Sequence, residues 1–294
     1  MKYLTFSLQV KDSAGNSLLD DTNDVKLVNF VVTYSMNYIP RLELNLQTLN
    51  PIEFPKDLII SINKDDVNQE YNMGVIETTV TDGGIIKFSG LALPYDNLEV
   101  CRTRYLGSDI VSAINSLGLG YTINSQNNPP LDVYQMNESD IDVLNRLVLG
   151  LNADSPVLIT ENTISLYDID AADTINVEGN LGDLIIRSKY ASENIRKIVH
   201  GDYITYYGKD FSQIVRNEET DYFSNYYSNL SYQDSMEITQ SMEFSEYPRL
   251  KLGDVIVYPN SYFTKKFFII SLTNNFKAAG GDVATSIIIG TKNE

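Results

Sequence analysis

A single histidine, His200, a single cysteine, Cys101, and 39 carboxylates are the groups from which any reaction in this 294-residue chain would be built. One imidazole cannot make a multi-histidine metal site, and one thiol gives neither an internal disulfide nor a cysteine cluster. A nucleophilic triad would need His200 beside an activated hydroxyl, but no Gly-x-Ser-x-Gly elbow occurs. Within Lys197-Ile198-Val199-His200-Gly201 the ring reads as a strand residue pairing with a neighbour. No phosphate loop or dinucleotide fingerprint is present. Asp20 and Asp21 form an acidic pair without a third ligand at calcium-loop spacing, so they read as a solvated turn. Two carboxylates at the right separation suffice for glycoside hydrolysis, and 39 candidates neither select nor exclude such a pair. The sequence therefore assigns no catalytic, cofactor-binding or metal residue, and implies no cofactor.

The net charge of −17 argues against gripping nucleic acid through its phosphates and against lying on an anionic membrane. Stable membrane insertion is not expected: the chain lacks an apolar run of about 18 residues, and its opening MKYLTFSLQV alternates as a strand does. A lone cysteine suits a reducing compartment. The 20 tyrosines, with no tryptophan, fall largely in strand-like stretches, a usage shared by sheets and protein interfaces.

Two-residue alternation dominates the chain. It runs through Tyr3 to Val10, Val25 to Met36, Arg41 to Leu49, Leu58 to Asn63, Met73 to Val80 and Ile85 to Leu93, with Thr81-Asp82-Gly83-Gly84 as a turn between the last two. Lys11 to Asp24 is a polar loop. After about residue 182 strands return at Leu184 to Ser188, Ile195 to Tyr207, Ser231 to Phe244, Asp254 to Tyr258, Lys266 to Asn274 and Val283 to Gly290. Asp210 to Leu230, with Tyr222, Phe223, Tyr226 and Tyr227 among Ser and Asn, has the composition of an adaptable contact surface. The fold class expected is α+β, mainly β: a first antiparallel β-barrel-like domain over 1–95, a small α/β module with two helices over 96–181, and a second β-barrel-like domain over 182–294.

The central module carries the strongest local signals. Tyr105 to Leu151 reads as two short amphipathic helices joined by a polar, proline-containing connection. In the first, Ser108 is the expected N-cap, Ile110, Val111, Ile114 and Leu117 share a face, and Gly118 is the left-handed stop. In the second, Asn137 is the expected N-cap, Asp140 sits at the third helical position, Met136 and Ile141 make a hydrophobic staple, and Gly150 lies past the end. Its buried stripe is Ile141, Leu144, Leu147, Val148 and Leu151, with Glu138, Asp140 and Asp142 at the positive end of the dipole. Gly120 to Asn124 reads as a short strand, and Pro156 to Thr160 with Thr163 to Tyr167 as a hairpin; Asp168 to Asn180 is expected to return the chain to the sheet layer.

DVYQMNESDIDVLNRLVLGL, in the positions Gln135, Glu138, Ser139, Asp140, Leu144, Arg146 and Leu147, resembles a segment of phage tail baseplate hub proteins, the group of late-control protein D and the first domains of VgrG spike proteins. Pro248 to Ile256, with Gly253-Asp254, resembles the turn of that family's last barrel. Barrel, helical module, barrel is also the family's order. The resemblance implies a homotrimer whose six β-domains form tube-like rings continuing the tail tube, with a central spike below, wedge proteins around it, and DNA passing through the lumen without specific binding. It implies a virion location, synthesis in the host cytoplasm and no catalysis. Because the sequence ends at Glu294 just after its last strand-like run, the spike is expected to be a separate protein, and the acidic charge is expected to face the channel. Two other classes remain open on the residues alone: a tail-associated cell-wall or polysaccharide hydrolase, and a carbohydrate-binding tail-tip protein whose tyrosines stack on sugars.

Overall fold

In the computed structural model the described residues are 6–19, 24–36, 38–48, 50, 52–64, 67–81, 83–124, 128, 130–151, 157–160, 162–166, 174–176, 194–200, 203–207, 210–219, 236–244, 250–257, 267–278 and 283–292. The alternating stretches of the first third become six strands: β1 (Ser7–Asp12), β2 (Val25–Ser35), β3 (Tyr38–Thr48), β4 (Asp57–Lys64), β5 (Val67–Val80) and β6 (Ile85–Leu91). Along β3, Leu42, Leu44 and Leu46 are fully buried while Arg41, Glu43, Asn45 and Gln47 take the opposite face. This is the period of two expected of a half-buried strand. Phe30, Val32, Ile60, Tyr71 and Phe88 fill the same core, and the Tyr71 hydroxyl is satisfied there by Tyr34 at 2.8 Å.

The chain then forms α1 (Tyr95–Glu99), β7 (Arg102–Asp109), α2 (Ile110–Ser116), β8 (Thr122–Asn124), β9 (Pro130–Glu138), α3 (Asp140–Leu151), β10 (Val157–Ile159) and β11 (Thr163–Leu166). Strands β10 and β11 are the expected hairpin, and β8 adds to β11 in parallel. Two elements differ from the sequence reading. The polar connection holds β9, which pairs antiparallel with β7 as a two-stranded ribbon, and a short helix, α1, precedes that ribbon. A two-stranded ribbon with one polar face escapes periodicity because half of its inward positions are Arg and Gln rather than apolar residues.

The remaining strands are β12 (Thr174–Asn176), β13 (Asn194–His200), β14 (Tyr203–Tyr207), β15 (Asp210–Glu219), β16 (Met236–Phe244), β17 (Val255–Val257), β18 (Phe267–Lys277) and β19 (Val283–Lys292). Ile195 to Tyr207 is two antiparallel strands rather than one, with His200 opposite Tyr203. The first ten residues of the tyrosine-rich segment form β15, parallel to β13. Tyr222, Phe223, Tyr226 and Tyr227, like Asp20, Asp21 and Leu184 to Ser188, lie outside the described residues.

The fold is α+β and mainly β, organised by a curled antiparallel half-barrel sheet. That sheet has 11 strands, in the order β1-β4-β5-β6-β3-β2-β18-β17-β12, with β19 on β18 and β16 on β19. The strands before and after the central module therefore share one sheet, joined where β2 pairs antiparallel with β18 from Asn29↔Lys277 to Ser35↔Ser271.

Two backbones approach closely where β5 meets β6. A Cβ on Gly90 would strike the Gly74 carbonyl oxygen, and one on Gly74 would sit 2.5 Å from the Leu93 oxygen and 2.7 Å from Leu98 Cδ1. Gly90→Ala is expected to destabilise the protein by about 1–3 kcal/mol through forced backbone displacement. A denaturation midpoint equal to the parent's would contradict this packing.

Candidate functional site

Of the residues singled out between Gln135 and Leu147, Gln135 and Asp140 meet directly, at a carboxylate that also draws in partners from earlier in the chain. Alternation along β7 puts Arg102 and Arg104 on the same side of the ribbon, and the register sets Arg104 opposite Gln135 of β9. Helix α3 begins directly after that strand, so its first residue, Asp140, is delivered beneath the ribbon and is 1% exposed. Asp140 Oδ1 accepts from Arg104 Nη2 at 3.0 Å and from Gln135 Nε2 at 2.8 Å. Asp140 Oδ2 accepts from Arg102 Nη1 and from Asn97 Nδ2 of α1, both at 2.7 Å. Gln135, itself fully buried, accepts from Arg104 Nε at 2.8 Å and donates also to the Glu138 carbonyl at 2.9 Å.

Four donors thus occupy all the acceptor positions of one buried carboxylate. Filled in this way, Asp140 has no lone pair left with which to take a substrate proton. It ties α1, β7, β9 and α3 together. Because Arg102 and Arg104 keep roughly a third of their side chains in contact with solvent, the second positive charge is hydrated rather than stranded.

The neighbouring residues secure the helix start. Ser139, not Asn137, is the N-cap: its hydroxyl accepts from Asp142 N at 3.3 Å and donates to Asp142 Oδ2 at 2.6 Å, while Ser139 N donates to the same carboxylate at 3.2 Å. This is a capping box with Asp in place of Glu. Asn137 instead adopts a left-handed φ of 55° where β9 turns into the cap, and its N–H meets Thr103 Oγ1 at 3.1 Å. The staple is absent as well, since Met136 is 68% exposed while Ile141 is buried, and Gly150 falls inside the helix. The errors in the cap and the staple follow from starting the helix two residues early, because β9 runs on to Glu138. Glu138 and Arg146 pair at 2.9 Å, and Arg146 Nη2 also donates to the Tyr134 carbonyl at 2.9 Å. Leu144 and Leu147 point into the core below.

Ser139→Ala is expected to cost about 1 kcal/mol through loss of the cap. Asn137→Gly should leave stability within a few tenths of a kcal/mol, whereas Asn137→Ala should cost about 1 kcal/mol because alanine resists positive φ. Thermal melts of the three variants test this order, and a Ser139→Ala variant that melts like the parent would deny Ser139 the cap.

Helix α2 is capped by Asp109 rather than Ser108, with Ser112 N donating to its carboxylate at 2.7 Å. That bond, with the one from Asn128, holds the carboxyl below its ordinary range. Gly118 takes the expected positive φ, 72°. On the outer face of the ribbon the Tyr105 and Tyr134 rings lie 5.1 Å apart. Desolvation, together with the hydrogen bond to Asp132, raises the Tyr105 phenol.

Gly253 and Asp254 are remote from this cluster, in the turn before β17. Gly253 has φ 88°, Asp254 Oδ2 accepts from Lys251 N at 2.6 Å, Gly253 N donates to the Ile269 carbonyl of β18 at 2.9 Å, and Ile269 N donates back to the Asp254 carbonyl at 3.0 Å. They shape a turn. The sequence reading missed Asn97, Arg102 and Arg104, although Arg102-x-Arg104-x-Leu106 is the alternation of an inward strand face. Among the described residues no group of three His, Cys, Asp or Glu could hold a metal ion, and no helix is long and apolar enough to cross a membrane.

No family model matches the chain, and no curated protein matches it by sequence. Solved structures do match its fold. The tail protein from Neisseria meningitidis MC58 is 8% identical with a TM-score of 0.56, over 99% of this chain and 97% of that one. The 43 kDa tail protein of prophage MuSo2 from Shewanella oneidensis is 10% identical with a TM-score of 0.57, over 97% and 98%. An E. coli component of the type VI secretion system, described as structurally similar to T4 bacteriophage tail proteins gp27 and gp5, is 9% identical with a TM-score of 0.56, over 98% of this chain and 77% of that one. The chain has the fold of these tail-type proteins.

Proposed function

We propose that this chain is a structural hub protein of a phage tail or a phage-derived injection system. Three copies close into a ring that joins the tail tube to a central spike, with wedge proteins around it and DNA passing through the lumen. The observation that carries the reading is the fold likeness to two tail proteins over nearly the whole of each chain. The residues 1–95 and 182–294 are its tube-like domains, and three chains present six of them to a six-fold tube end. The large sheet supports closure into a ring, because among the described residues β1, β12 and β16 each have one hydrogen-bonded neighbour in it, and open edges favour assembly. The work is geometric: the buried Asp140 cluster fixes the central module, and the protein lives in the virion and breaks no bonds.

Native mass spectrometry of the purified chain and reconstruction of the assembled tail test this. Three copies at the tube end are expected, and a stable dimer absent from tails would refute it. His200→Gln is expected to leave particles infectious, and the purified protein to release nothing from peptidoglycan. A turnover abolished by one Asp or Glu substitution would overturn the structural reading.

A further inference from the structure

The ribbon of β7 and β9 is built inside out over the half that lies beside α3. Its register pairs Arg104 with Gln135 on the side facing α3, where both meet the buried Asp140. The flanking pairs, Tyr105 with Tyr134 and Thr103 with Met136, point the other way, into solvent. Tyr105 and Tyr134 are each 53% exposed, and Met136 68%. A ribbon whose outer face stayed in water would gain by the reverse arrangement, because burying Arg and Gln demands hydrogen-bond partners that apolar side chains do not need. Tyrosine and methionine gathered on one exposed face, with the cations taken behind it, have the composition of an interface core.

Size and charge indicate what covers this face. The three side chains present about 300–400 Å² between them, roughly half of the 800 Å² per side that holds two separate proteins together. The face therefore adds to contacts made elsewhere, as a contact between copies in a closed assembly does. It is also almost free of formal charge: its one carboxylate, Asp132, accepts from the Tyr105 hydroxyl at 3.1 Å. A basic partner would be met by carboxylates, of which this chain has 39. Two copies that each carry a net charge of −17 approach at least cost where both surfaces are bare of it.

We propose that the outer face of the ribbon is a contact between neighbouring copies of this chain; the inference rests on the ring proposed above. Closed three-fold symmetry is head-to-tail, so the ribbon of one copy meets a different surface of the next. Among the described residues the exposed large apolar side chains away from the ribbon are Val28, Phe54 and Val80, and of these Phe54 and Val80 are more than half exposed. Both lie at one margin of the first core, Phe54 with its ring 6.2 Å from that of Phe88, and Val80 opposite Ile86. That margin is the surface the ribbon covers.

The test compares trimer dissociation of purified variants by native mass spectrometry and sedimentation. Tyr134→Asp should weaken the trimer by about tenfold or more, since a carboxylate enters an apolar contact, while far-UV circular dichroism stays parental. Val80→Lys should weaken it by a similar factor. Combined in one chain, the two substitutions set Asp against Lys across every junction, and the double variant should regain most of the loss. Should Tyr134→Asp disturb the ribbon, Met136→Asp makes the same measurement from the neighbouring position. A Tyr134→Asp trimer as tight as the parent's would overturn the proposal. So would an intact variant trimer that no longer enters tails, which would give the face to another tail protein. Weakening by each substitution without recovery in the double variant would overturn the head-to-tail contact with Phe54 and Val80. A parental chain that forms no trimer would instead remove the ring reading itself.

Discussion

Asp140→Asn is expected to lower stability by about 3 kcal/mol, the lower end of what breaking a buried ion pair costs, because both arginine partners reach solvent and can be rehydrated. Asparagine keeps the size and one acceptor, but its amide group turns two further donors toward Arg102 and Asn97 or toward Arg104 and Gln135. The loss should therefore be largely electrostatic and should shrink in Arg102→Gln, where the carboxylate keeps three of its four donors. Denaturant unfolding reads it as a shift in midpoint at unchanged slope. If Asp140→Asn unfolds at the parental midpoint, the cluster does not tie the module together.

Leu144→Ala should destabilise by about 2–5 kcal/mol, since a fully buried side chain leaves a cavity that neighbours refill only in part. Leu147→Ala, at 3% exposure, belongs in the same range. The two residues lie on one stripe of α3 with Ile141 and Val148, so the double variant should lose less than the sum if one cavity relaxes into the other. Near-parental melting of either single variant would mean that α3 does not pack on the core through this stripe.

The first six strands could be read from alternation because each is half-buried on a deep core. Their bounds shifted by a few residues where strands ran into their turns, as at β5, which starts at Val67 rather than Met73. The ribbon of β7 and β9 could not be read in this way. Its inward face is built from Arg102, Arg104 and Gln135, polar residues whose burial makes sense only once Asp140 is known to lie beneath them. The same blindness moved the cap from Ser139 to Asn137, since both are good caps by residue type and only the end of β9 distinguishes them. Of the residues quoted from the sequence, Gln135 bonds Asp140 and Glu138 pairs with Arg146, while Ser139 bonds Asp142. What it could not supply was their partners from α1 and β7, some 40 residues earlier in the chain.

The seam between β2 and β18 also sets an order of events in folding. Its rungs link positions 236 to 246 residues apart, contacts that are slow to form because so much chain must be brought back first. During synthesis, β2 emerges early and waits with one edge uncovered, a strand edge of the kind that recruits wrong neighbours. Only when Phe267–Lys277 has left the ribosome can that edge be sealed. A chain interrupted before this point would present to its surroundings an unfinished sheet with the edge of β2 open, so the sheet's joining strand arrives long after the edge it covers.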